Sequence, residues 1–377
     1  MNPVTTKSLT DKAPVKTIGI VGAGQLGRML ALGGYPLGLK FVFLDKSCDT
    51  PGGQVGRVIL GEFNDPAKLA ELAACVDILT YDVENVPVEA LGDIPKNKIF
   101  LPPVMALATG QDRLSEKELF QVLRIPTARY RAVDSMPDLE EAIHTIGYPA
   151  VLKTRRLGYD GRGQRIIHSP AELGSAFNAL GGVPLILEEF IDFTGEVSII
   201  GVRSRSSQNA FYALTENQHR DGILRLSIAP CPDKKLQSLA QKYAHRVMQH
   251  FDYAGVFTLE FFVKQGRLIA NETAPRVHNS GHWTIEGAVT SQFENHLRAI
   301  LGLPLGDTSS LGYSAMVNFI GAIPAVESVL KIPGTHYHDY GKQPRAARKL
   351  GHCTVVRRTR KELLMALKKI PGLDNWG

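Results

Sequence analysis

The strongest constraint on the fold is an apolar strand that runs directly into a glycine-rich turn and a helix. Residues 17–22, TIGIVG, are apolar and β-branched, and the following GAGQLGRMLALGG is typical of a tight turn that opens a helix. Further strands are predicted at 41–45 and 76–82, with a helix over 66–75 between them. Because strands and helices alternate, we expect a parallel sheet with right-handed crossovers, and so a Rossmann-like α/β domain over 17–112.

The rest of the chain predicts a larger α+β part. The segments EVSIIGVRS and NAFYAL alternate like antiparallel neighbours, and Gln265–Gly266 between VFTLEFFVK and RLIANE predicts a hairpin. We expect an N-terminal arm, the first α/β domain, a central domain and a small β-rich C-terminal domain. Their expected bounds are 1–16, 17–112, 113–311 and 312–377. Helices are predicted over 115–125, 234–251, 291–301 and 360–369, and strands over 150–154 and 184–190.

Hydropathy and cysteine usage narrow the class of protein. No apolar run approaches the ~18 residues that a membrane span needs, and the N-terminus has no apolar stretch typical of a secretory signal. The four cysteines are scattered and form no CxxC pair, so we expect neither a disulfide framework nor a zinc site. These features predict a cytoplasmic protein without a membrane partner.

The C-terminal segment concentrates the positive charge of the chain. Residues 331–377 contain eleven Lys or Arg and three Asp or Glu, a net +8 in a chain of net charge +6. Three interpretations are a nucleic-acid tail, a basic lobe that closes over an anionic small molecule, and a solvated basic surface. The segment is not of low complexity and keeps strand-like apolar residues, so we expect no nucleic-acid partner.

The first glycine turn, residues 22–27, allows two interpretations. Glycines at a helix N-terminus let the backbone approach an anion, and Asp45 at the end of the next strand imitates a dinucleotide-binding fingerprint. That interpretation predicts an NAD-dependent oxidoreductase. The alternative is a tight strand-to-helix turn that binds no ligand.

A second glycine-rich segment follows Lys153, which lies near the end of a predicted buried strand. Three glycines in six residues make a mobile loop whose N–H groups can cover phosphates, and the Lys153 ammonium can reach phosphate oxygens. No GK[ST] is present, so this is not a Walker loop, and a hairpin turn is the alternative interpretation. The segment consists of Gly158, Tyr159, Asp160, Gly161, Arg162, Gly163 and Gln164.

Two pairs of acidic residues lie at predicted strand positions. Glu188 and Glu189 end a buried strand, and a carboxylate there is costly without a partner. That strand end fits a purine site or a solvent-facing edge. Glu260 and Glu272 lie on the two strands of the predicted hairpin, so both carboxylates can face one side of the sheet. Magnesium prefers such oxygen ligands together with nucleotide phosphates, whereas a purely structural pair is the alternative.

Residues near this second pair extend the candidate site. Asn271 adds a neutral oxygen, and Arg276 can hold a small carboxylate or a transferring phosphoryl group. His278 and His282 are four apart, which suggests zinc on a helix, but Asn-Ser-Gly between them breaks a helix and favours a substrate loop. His219 precedes a glycine turn and is either a structural histidine or a neighbour of the nucleotide.

The order of these motifs resembles the ATP-grasp superfamily, in which a strand lysine, a glycine-rich loop, a glutamate-ended strand and a Glu…Asn-Glu hairpin follow one another. Within it, the chain is similar to the N5-carboxyaminoimidazole ribonucleotide synthetases from about residue 17 to 360. The similar segments include GAGQLGRML, QDRLSEK, VLKTRRLGYDGRGQ, ILEEF, ENQHRDGIL, NETAPRVHNSGHWTIEGAVTSQFENHLRA and ARKLGH.

The resemblance implies an ATP-grasp fold with a mobile lid over about 118–190, preceded by a Rossmann-like pre-ATP-grasp domain. It also implies ATP- and bicarbonate-dependent carboxylation of 5-aminoimidazole ribonucleotide through carboxyphosphate, with ADP and phosphate as products, in purine biosynthesis. ATP and Mg²⁺, or Mn²⁺ in its place, are the implied cofactors, and a homodimer is the implied assembly.

The resemblance further implies a role for each matching residue. The implied ATP-binding residues are Arg113, Lys153, the loop Gly158 to Gln164, Glu188, Glu189, Phe190, Ile191, Glu196, His219, Asn271 and Glu272. The implied metal ligands are Glu260, Glu272 and Asn271. The implied catalytic residues are Tyr159, Asp160, Arg162, Arg276, Asp82 and Glu84. The implied ribonucleotide-binding residues are Gly24, Gln25, Leu26, His278, Ser280, Lys342, Arg345, Arg348 and Lys349.

Two departures from the family pattern leave questions open. Asp82-Val83-Glu84 stands where the family often has Glu-x-Glu, so which carboxylate reaches the bicarbonate side is undecided. Ala347 stands where the family has glycine, which puts a close backbone approach there in doubt. The main alternative function is another ATP-grasp carboxylate–amine ligase, for example a formate-dependent one. An oxidoreductase is disfavoured because it leaves Lys153, its glycine loop and the glutamate pair unused.

Overall fold

Three sheets organise the part of the chain described by the computed structural model, residues 16–92, 94–95, 97–158 and 161–373. The expected N-terminal arm lies outside the described residues except for Lys16. Tyr159 and Asp160 of the glycine loop also lie outside them, as do the last four residues. The expected mobility of the lid and the expected domain bounds stay predictions.

The first sheet confirms the predicted parallel arrangement. Its order is β3-β2-β1-β4-β5, and all neighbouring strands are parallel. Sequence patterning missed β3 and β5, because both are short and neither forms a continuously buried run. The elements are β1 Thr17–Val21, α1 Gln25–Gly34, β2 Lys40–Asp45, β3 Arg57–Leu60, α2 Pro66–Ala74, β4 Ile78–Tyr81, α3 Val88–Leu91, β5 Ile99–Phe100 and α4 Val104–Gly110.

The second sheet is a separate antiparallel layer with strand order β6-β9-β7-β8. Its helices cover an apolar core formed by residues such as Leu139, Leu152 and Leu187. The elements are β6 Tyr130–Val133, α6 Met136–Ile146, β7 Ala150–Thr154, β8 Gln164–Ile167, α7 Leu173–Leu180 and β9 Leu185–Glu189. Helix α5 Arg113–Val122 precedes this layer in the chain and lies outside its core.

The third sheet is the largest and carries the predicted hairpin. Its path is β15-β14-β10-β12-β13-β16-β18-β17, and β11 pairs with β10 in the predicted antiparallel arrangement. Gln265 and Gly266 have φ values of 51° and 70°, the left-handed backbone that a two-residue hairpin turn requires. The strands are β10 Gly195–Arg203, β11 Asn209–Phe211, β12 Thr215–Arg220, β13 Ile223–Ala229, β14 Gly255–Lys264, β15 Arg267–Ala274, β16 Tyr313–Ile320, β17 Thr335–Asp339 and β18 Lys349–Arg357.

The C-terminal strands continue this sheet, because β16 pairs antiparallel with β13. Helix α1 packs on α10, which joins the first domain to the large sheet. The remaining helices are α8 Lys234–His250, α9 Thr284–Gly287, α10 Gln292–Leu301, α11 Val326–Leu330 and α12 Arg360–Leu367. Among the described helices, none has the length and apolar character to cross a membrane.

Candidate functional site

The glutamate pair lies where the hairpin prediction placed it. Glu260 on β14 is directly opposite Glu272 on β15, and the next pair along is Phe261 with Ala270. Asn271 is therefore the extra residue of a β-bulge. Regular alternation would send adjacent side chains to opposite faces, whereas a bulge re-aims one of them. The bulge thus allows Asn271 and Glu272 to serve the same site.

The two carboxylates repel each other when both are ionised. Burial, and then the charge of Glu272, raise the pKa of Glu260 to about 8. Paired acids with an amide oxygen beside them are an oxygen-donor set that suits a divalent cation, whose charge would favour the ionised form of both acids. The residues present therefore fit the metal that the resemblance implies.

His278 orients the Glu260 carboxylate. The Ser280 N–H is directed at His278 Nδ1 at 3.3 Å, which assigns the proton of the neutral ring to Nε2. Nε2 lies 3.1 Å from Glu260 Oε1 and donates to it. Burial and then the nearby Arg276 hold the pKa of His278 well below its usual range, so the ring stays neutral.

Arg113 connects the carboxylates to the glycine loop. Its Nη1 lies 3.5 Å from Glu272 Oε2, and its Nη2 donates to the carbonyl of Gly158 at 3.4 Å. Arg113 begins helix α5 and is largely shielded from solvent, with 18% of its side chain exposed. A guanidinium at this junction can bind anionic oxygens between the loop and the acids.

The glycine loop closes a hairpin between β7 and β8, where Lys153 pairs with Gln164. The hairpin interpretation is therefore correct as structure, and it does not conflict with phosphate binding. Gly161 and Gly163 have φ values of 74° and 70°, which favour glycine. Arg162 between them lines a cationic cavity described below.

Lys153 and Glu188 form a buried pair. Their Nζ and Oε2 atoms lie 3.0 Å apart, and Lys117 Nζ lies 3.5 Å from the same oxygen. Burial alone would raise the pKa of Glu188, but the two lysines lower it to about 2. Glu188 is only 2% exposed, so the solvent-facing alternative for this residue is wrong.

The remaining residues of the expected adenine strand have different surroundings. Glu189 forms a surface ion pair with Arg129 at 3.0 Å, Phe190 donates its N–H to Pro149, and Ile191 is buried. Nearby, Glu196 Oε2 lies 2.9 Å from His219 Nδ1. Although burial opposes it, the hydrogen bond to Glu196 raises the pKa of His219. These last two residues thus form one hydrogen-bonded unit.

The first glycine turn is occupied by the chain's own carboxylates. Asp45 Oδ2 accepts from Ala23 N–H at 2.7 Å, and Asp82 Oδ2 accepts from Gly27 N–H at 3.0 Å. A Cβ at Gly22 would lie 1.8 Å from Asp82 Oδ1. Because acids already bind these amides, a pyrophosphate would meet negative charge there, and the dinucleotide-binding interpretation is disfavoured.

The structure separates the two acids of the Asp82-Val83-Glu84 segment. Asp82 points to the glycine turn, where burial raises its pKa to about 6. Glu84 instead pairs with Arg276, with 2.9 Å between Oε1 and Nη2. Burial, opposed by Arg276, raises the pKa of Glu84, and Glu272 contributes to the rise. Glu84 is therefore the acid on the side of the glutamate pair.

A cationic cavity of about 400 Å³ lies between the first domain and the C-terminal strands. Its walls combine residues from four separate parts of the chain, and Lys342 also donates to the Gln25 side chain. Ala347 has a φ of 61°, so the backbone there is left-handed although the residue is not glycine. The basic residues that line the cavity are Arg162, Lys342, Arg345, Arg348 and Lys349.

This cavity is electrostatically linked to the acids. Lys349, which lines it, partly offsets the rise in the pKa of Glu260 and adds to the effects of burial and Arg276 that lower the pKa of His278. Gly24 and Leu26 flank Gln25 at the turn, and Ser280 is buried beside His278. A cavity lined by cations therefore lies within electrostatic reach of Glu260.

His282 does not join His278 at a common centre. It is fully buried, and its ring lies against Phe293 and His352. Within the described residues, no group of three or more His, Cys, Asp or Glu side chains is arranged to hold a metal ion. The substrate-loop interpretation of this segment remains in place as a prediction.

Two buried residues on α5 that contact the candidate site were not predicted from the sequence. Glu116 and Lys117 are 2% and 1% exposed, and both contact strand β15 beside Glu272. They follow Arg113 by three and four residues, so all three share one face of the helix. That spacing within QDRLSEK is a signal that could have identified them.

Comparison with protein families matches three models along the chain. A ribonucleotide synthetase preATP-grasp domain matches residues 15–111, an ATP-grasp domain matches 118–293, and a phosphoribosylaminoimidazole carboxylase C-terminal domain matches 314–366.

Individual relatives match nearly the whole chain. The N5-carboxyaminoimidazole ribonucleotide synthase of Pseudomonas aeruginosa is 48% identical over 94% of this chain and 99% of its own. The crystal structure of N5-carboxyaminoimidazole ribonucleotide synthetase from Thermus thermophilus has a TM-score of 0.90 at 52% identity, covering 93% of this chain and 97% of that chain. An Aspergillus clavatus N5-carboxyaminoimidazole synthase in complex with ADP and 5-aminoimidazole ribonucleotide has a TM-score of 0.88 at 31% identity, covering 94% and 97%.

Proposed function

The chain belongs to the N5-carboxyaminoimidazole ribonucleotide synthase family, and from this premise we propose its reaction and the roles of its residues. It is an ATP-grasp ligase that uses ATP and bicarbonate to carboxylate 5-aminoimidazole ribonucleotide in purine biosynthesis. The products are N5-carboxyaminoimidazole ribonucleotide, ADP and phosphate. The observation that carries this proposal is the occurrence of the cationic cavity together with the directly opposed Glu260–Glu272 pair.

The reaction has two steps. A bicarbonate oxygen attacks the γ-phosphorus of ATP, the bond to the β-phosphate oxygen breaks, and carboxyphosphate and ADP form. The amine nitrogen of the ribonucleotide then attacks the carboxyl carbon, phosphate leaves, and the amine loses a proton. Phosphorylation is needed because bicarbonate by itself is a poor electrophile.

The nucleotide is held by residues from two layers. Arg113 and Lys153 bind its phosphates, the Glu188–Ile191 strand end faces adenine, and Glu196 with His219 faces the ribose. Glu260, Glu272 and Asn271 supply oxygen ligands for Mg²⁺, or Mn²⁺ in its place. When bound, this ion neutralises phosphate charge during transfer.

Bicarbonate lies between the acids and the first domain in this proposal. Arg276 holds it and stabilises the charge that develops on it, while Glu84, on the other side of Arg276, accepts its proton. Tyr159, Asp160 and Arg162 organise bicarbonate and the ribonucleotide, and the glycine loop that carries them closes over the short-lived intermediate and excludes water. Tyr159 and Asp160 lie outside the described residues, so their part stays a prediction from the resemblance.

The ribonucleotide occupies the cationic cavity. Lys342, Arg345, Arg348 and Lys349 bind its phosphate, because several cations around one cavity favour a dianion. The turn Gly24 to Leu26 and the pair His278 and Ser280 line its other side. A homodimer and a cytoplasmic location remain predictions, and light scattering on the purified protein measures the first.

An assay of ADP release over a panel of acceptors tests the proposed function. We expect ADP only when bicarbonate, 5-aminoimidazole ribonucleotide and Mg²⁺ are all present, because carboxyphosphate forms in a site completed by both substrates. Release driven by formate without stimulation by the ribonucleotide would instead identify a different ATP-grasp ligase. Nicotinamide-dinucleotide binding in a titration would revive the oxidoreductase interpretation of the glycine turn.

The affinity for the ribonucleotide should depend on pH through Lys342. Burial, and then repulsion by Arg348, lower the pKa of Lys342 to about 8, so its charge is complete below pH 7 and is lost as pH rises through 8. If only the ammonium form binds the phosphate, kcat/KM for the ribonucleotide falls by about tenfold between pH 7 and pH 9. Lys342→Arg keeps its charge over this range and should remove the decline. A decline of equal size in both proteins would contradict the assignment.

A further inference from the structure

We propose that Glu116 and Lys117 are positioning residues that set the geometry of the metal-binding segment Asn271–Thr273. Neither residue is proposed to touch the nucleotide or the ion. They act from helix α5 on the backbone on either side of Glu272. This inference rests on the proposed metal role of Glu272.

Lys117 and Glu116 contact the residues on either side of Glu272. Lys117 Nζ donates to the carbonyl of Asn271 at 2.8 Å. Glu116 Oε1 accepts from the N–H and the hydroxyl of Thr273 at 2.6 and 2.7 Å. The residues before and after the metal-binding glutamate are thus fixed by adjacent side chains of one helix.

The bulge makes this support necessary. An extra residue disrupts the ladder of backbone hydrogen bonds, and β15 is the first strand in the order of its sheet. Its outer backbone groups therefore need donors and acceptors from elsewhere. Lys117 and Glu116 supply them at the bulge, and Thr127 Oγ1 supplies one to Ala270 at 2.9 Å. Helix α5 covers the edge at the point where the chain must aim Asn271 and Glu272.

The helix that carries the pair is itself anchored. Asp112 caps α5 by accepting from Leu114 N–H, and it also pairs with Arg155 at 2.8 Å. Arg113, three residues before Glu116, contacts Glu272 directly. One helix face therefore controls both the side chain of Glu272 and the backbone around it.

The use of a buried acid and a buried lysine at this position favours positioning over stabilisation. Lys117 is also ion-paired with Glu188 at 3.5 Å, and a buried ion pair adds little net stability compared with apolar residues of similar volume, because removing the charges from water is costly. Fixed ionic contacts do restrict geometry, and residues that support metal ligands commonly change metal affinity by about 10–100-fold.

The test measures metal binding without turnover. Mn²⁺ is titrated into the enzyme with saturating ADP, and free Mn²⁺ is followed by electron paramagnetic resonance. For Lys117→Met we expect the Kd of Mn²⁺ in the ADP complex to rise by about 10–100-fold. The affinity for ADP in the presence of EDTA should change by less than about threefold, because the phosphate-binding cations remain.

Matched variants separate positioning from general effects. Lys98 also donates to a backbone carbonyl, that of Val76 at 2.7 Å, so Lys98→Met controls for loss of such a contact elsewhere. Glu116→Gln keeps an acceptor for Thr273 and should retain most of the Mn²⁺ affinity, whereas Glu116→Leu should lose it. The two Glu116 variants also test the inference if Lys117→Met does not fold.

The outcomes are distinguishable. Unchanged Mn²⁺ affinity in both Lys117→Met and Glu116→Leu, with the wild type binding Mn²⁺, overturns the positioning role alone. An equal loss of ADP affinity in EDTA also overturns it, because the residues would then act on the nucleotide. If the wild type binds no Mn²⁺ in the ADP complex, the proposed metal role of Glu272 is wrong and the inference falls with it.

Discussion

Replacing Glu272 by alanine should reduce turnover by at least about 10³-fold while the fold remains intact. The proposed metal loses one of two carboxylates, and charge stabilisation by a bound ion is worth several kcal/mol in the transition state. Stability should hardly change, because the Arg113 contact is long and 43% of the Glu272 side chain is exposed. Its removal also relieves repulsion that raises the pKa of Glu260. Steady-state ADP release and thermal unfolding measure the two effects.

Glu71→Ala is a matched control for this variant. Its carboxylate lies 3.5 Å from Arg57, the same distance as Glu272 from Arg113, and is 42% exposed against 43% for Glu272; it also pairs with Lys68 at 2.9 Å. Both variants should unfold within a few degrees of the wild type, and only Glu272→Ala should lose activity. A large loss of thermal stability with activity retained would mean that Glu272 is structural.

The position of the glutamate pair could be predicted from local signals. Gln265–Gly266 is suited to a two-residue turn, and that turn fixes which residues of the two strands face each other. Counting from the turn, however, predicts no bulge, since regular pairing opposite Glu260 would select Asn271 rather than Glu272. The bulge depends on contacts with α5, which lies more than a hundred residues earlier in the chain. No local sequence pattern therefore predicts the extra residue.

Local sequence patterns also do not predict how the acids of the first domain are arranged. Asp82 and Glu84 are two residues apart on a strand end, so the sequence alone gives no reason to assign them to different sites. Their separation depends on the glycine turn at Gly22, which receives Asp82, and on Arg276, which pairs with Glu84. Each partner is distant in sequence from the acid that it contacts, so the separation is set by tertiary packing.

The C-terminal strands show how far local patterning predicts the fold as a whole. Their apolar patterning predicts short strands, and the structure has them. The pairing of β16 with β13, which merges them with the central sheet, joins segments about ninety residues apart. Patterning determines which residues form strands, but the order of strands in a sheet depends on which apolar faces can be covered together.

Replacing Lys153 by methionine should weaken ATP binding by about 100-fold with little change in stability. The loss corresponds to about 2.7 kcal/mol, within the range for a lysine with charged hydrogen bonds to phosphate. Stability is preserved because two lysines share one carboxylate in this cluster: Glu188 keeps Lys117, 3.5 Å away, when Lys153 is removed. Burial, and repulsion by Arg113 and Lys117, already lower the pKa of Lys153, so its removal relieves strain among like charges.

This cluster contains two lysines and one glutamate, so removing Glu188 and removing Lys153 should have different effects on stability. Glu188→Gln leaves Lys117 and Lys153 buried without their shared counter-charge, and breaking such a contact costs about 3 kcal/mol or more. We therefore expect Glu188→Gln to lower the free energy of unfolding strongly, and bound ATP to restore part of it, because phosphates replace the missing negative charge.

Lys153→Met should show the opposite pattern: a nearly normal free energy of unfolding and little stabilisation by ATP. Isothermal titration and chemical denaturation with and without ATP measure both quantities. Wild-type ATP affinity in Lys153→Met would show that the lysine serves only to neutralise Glu188.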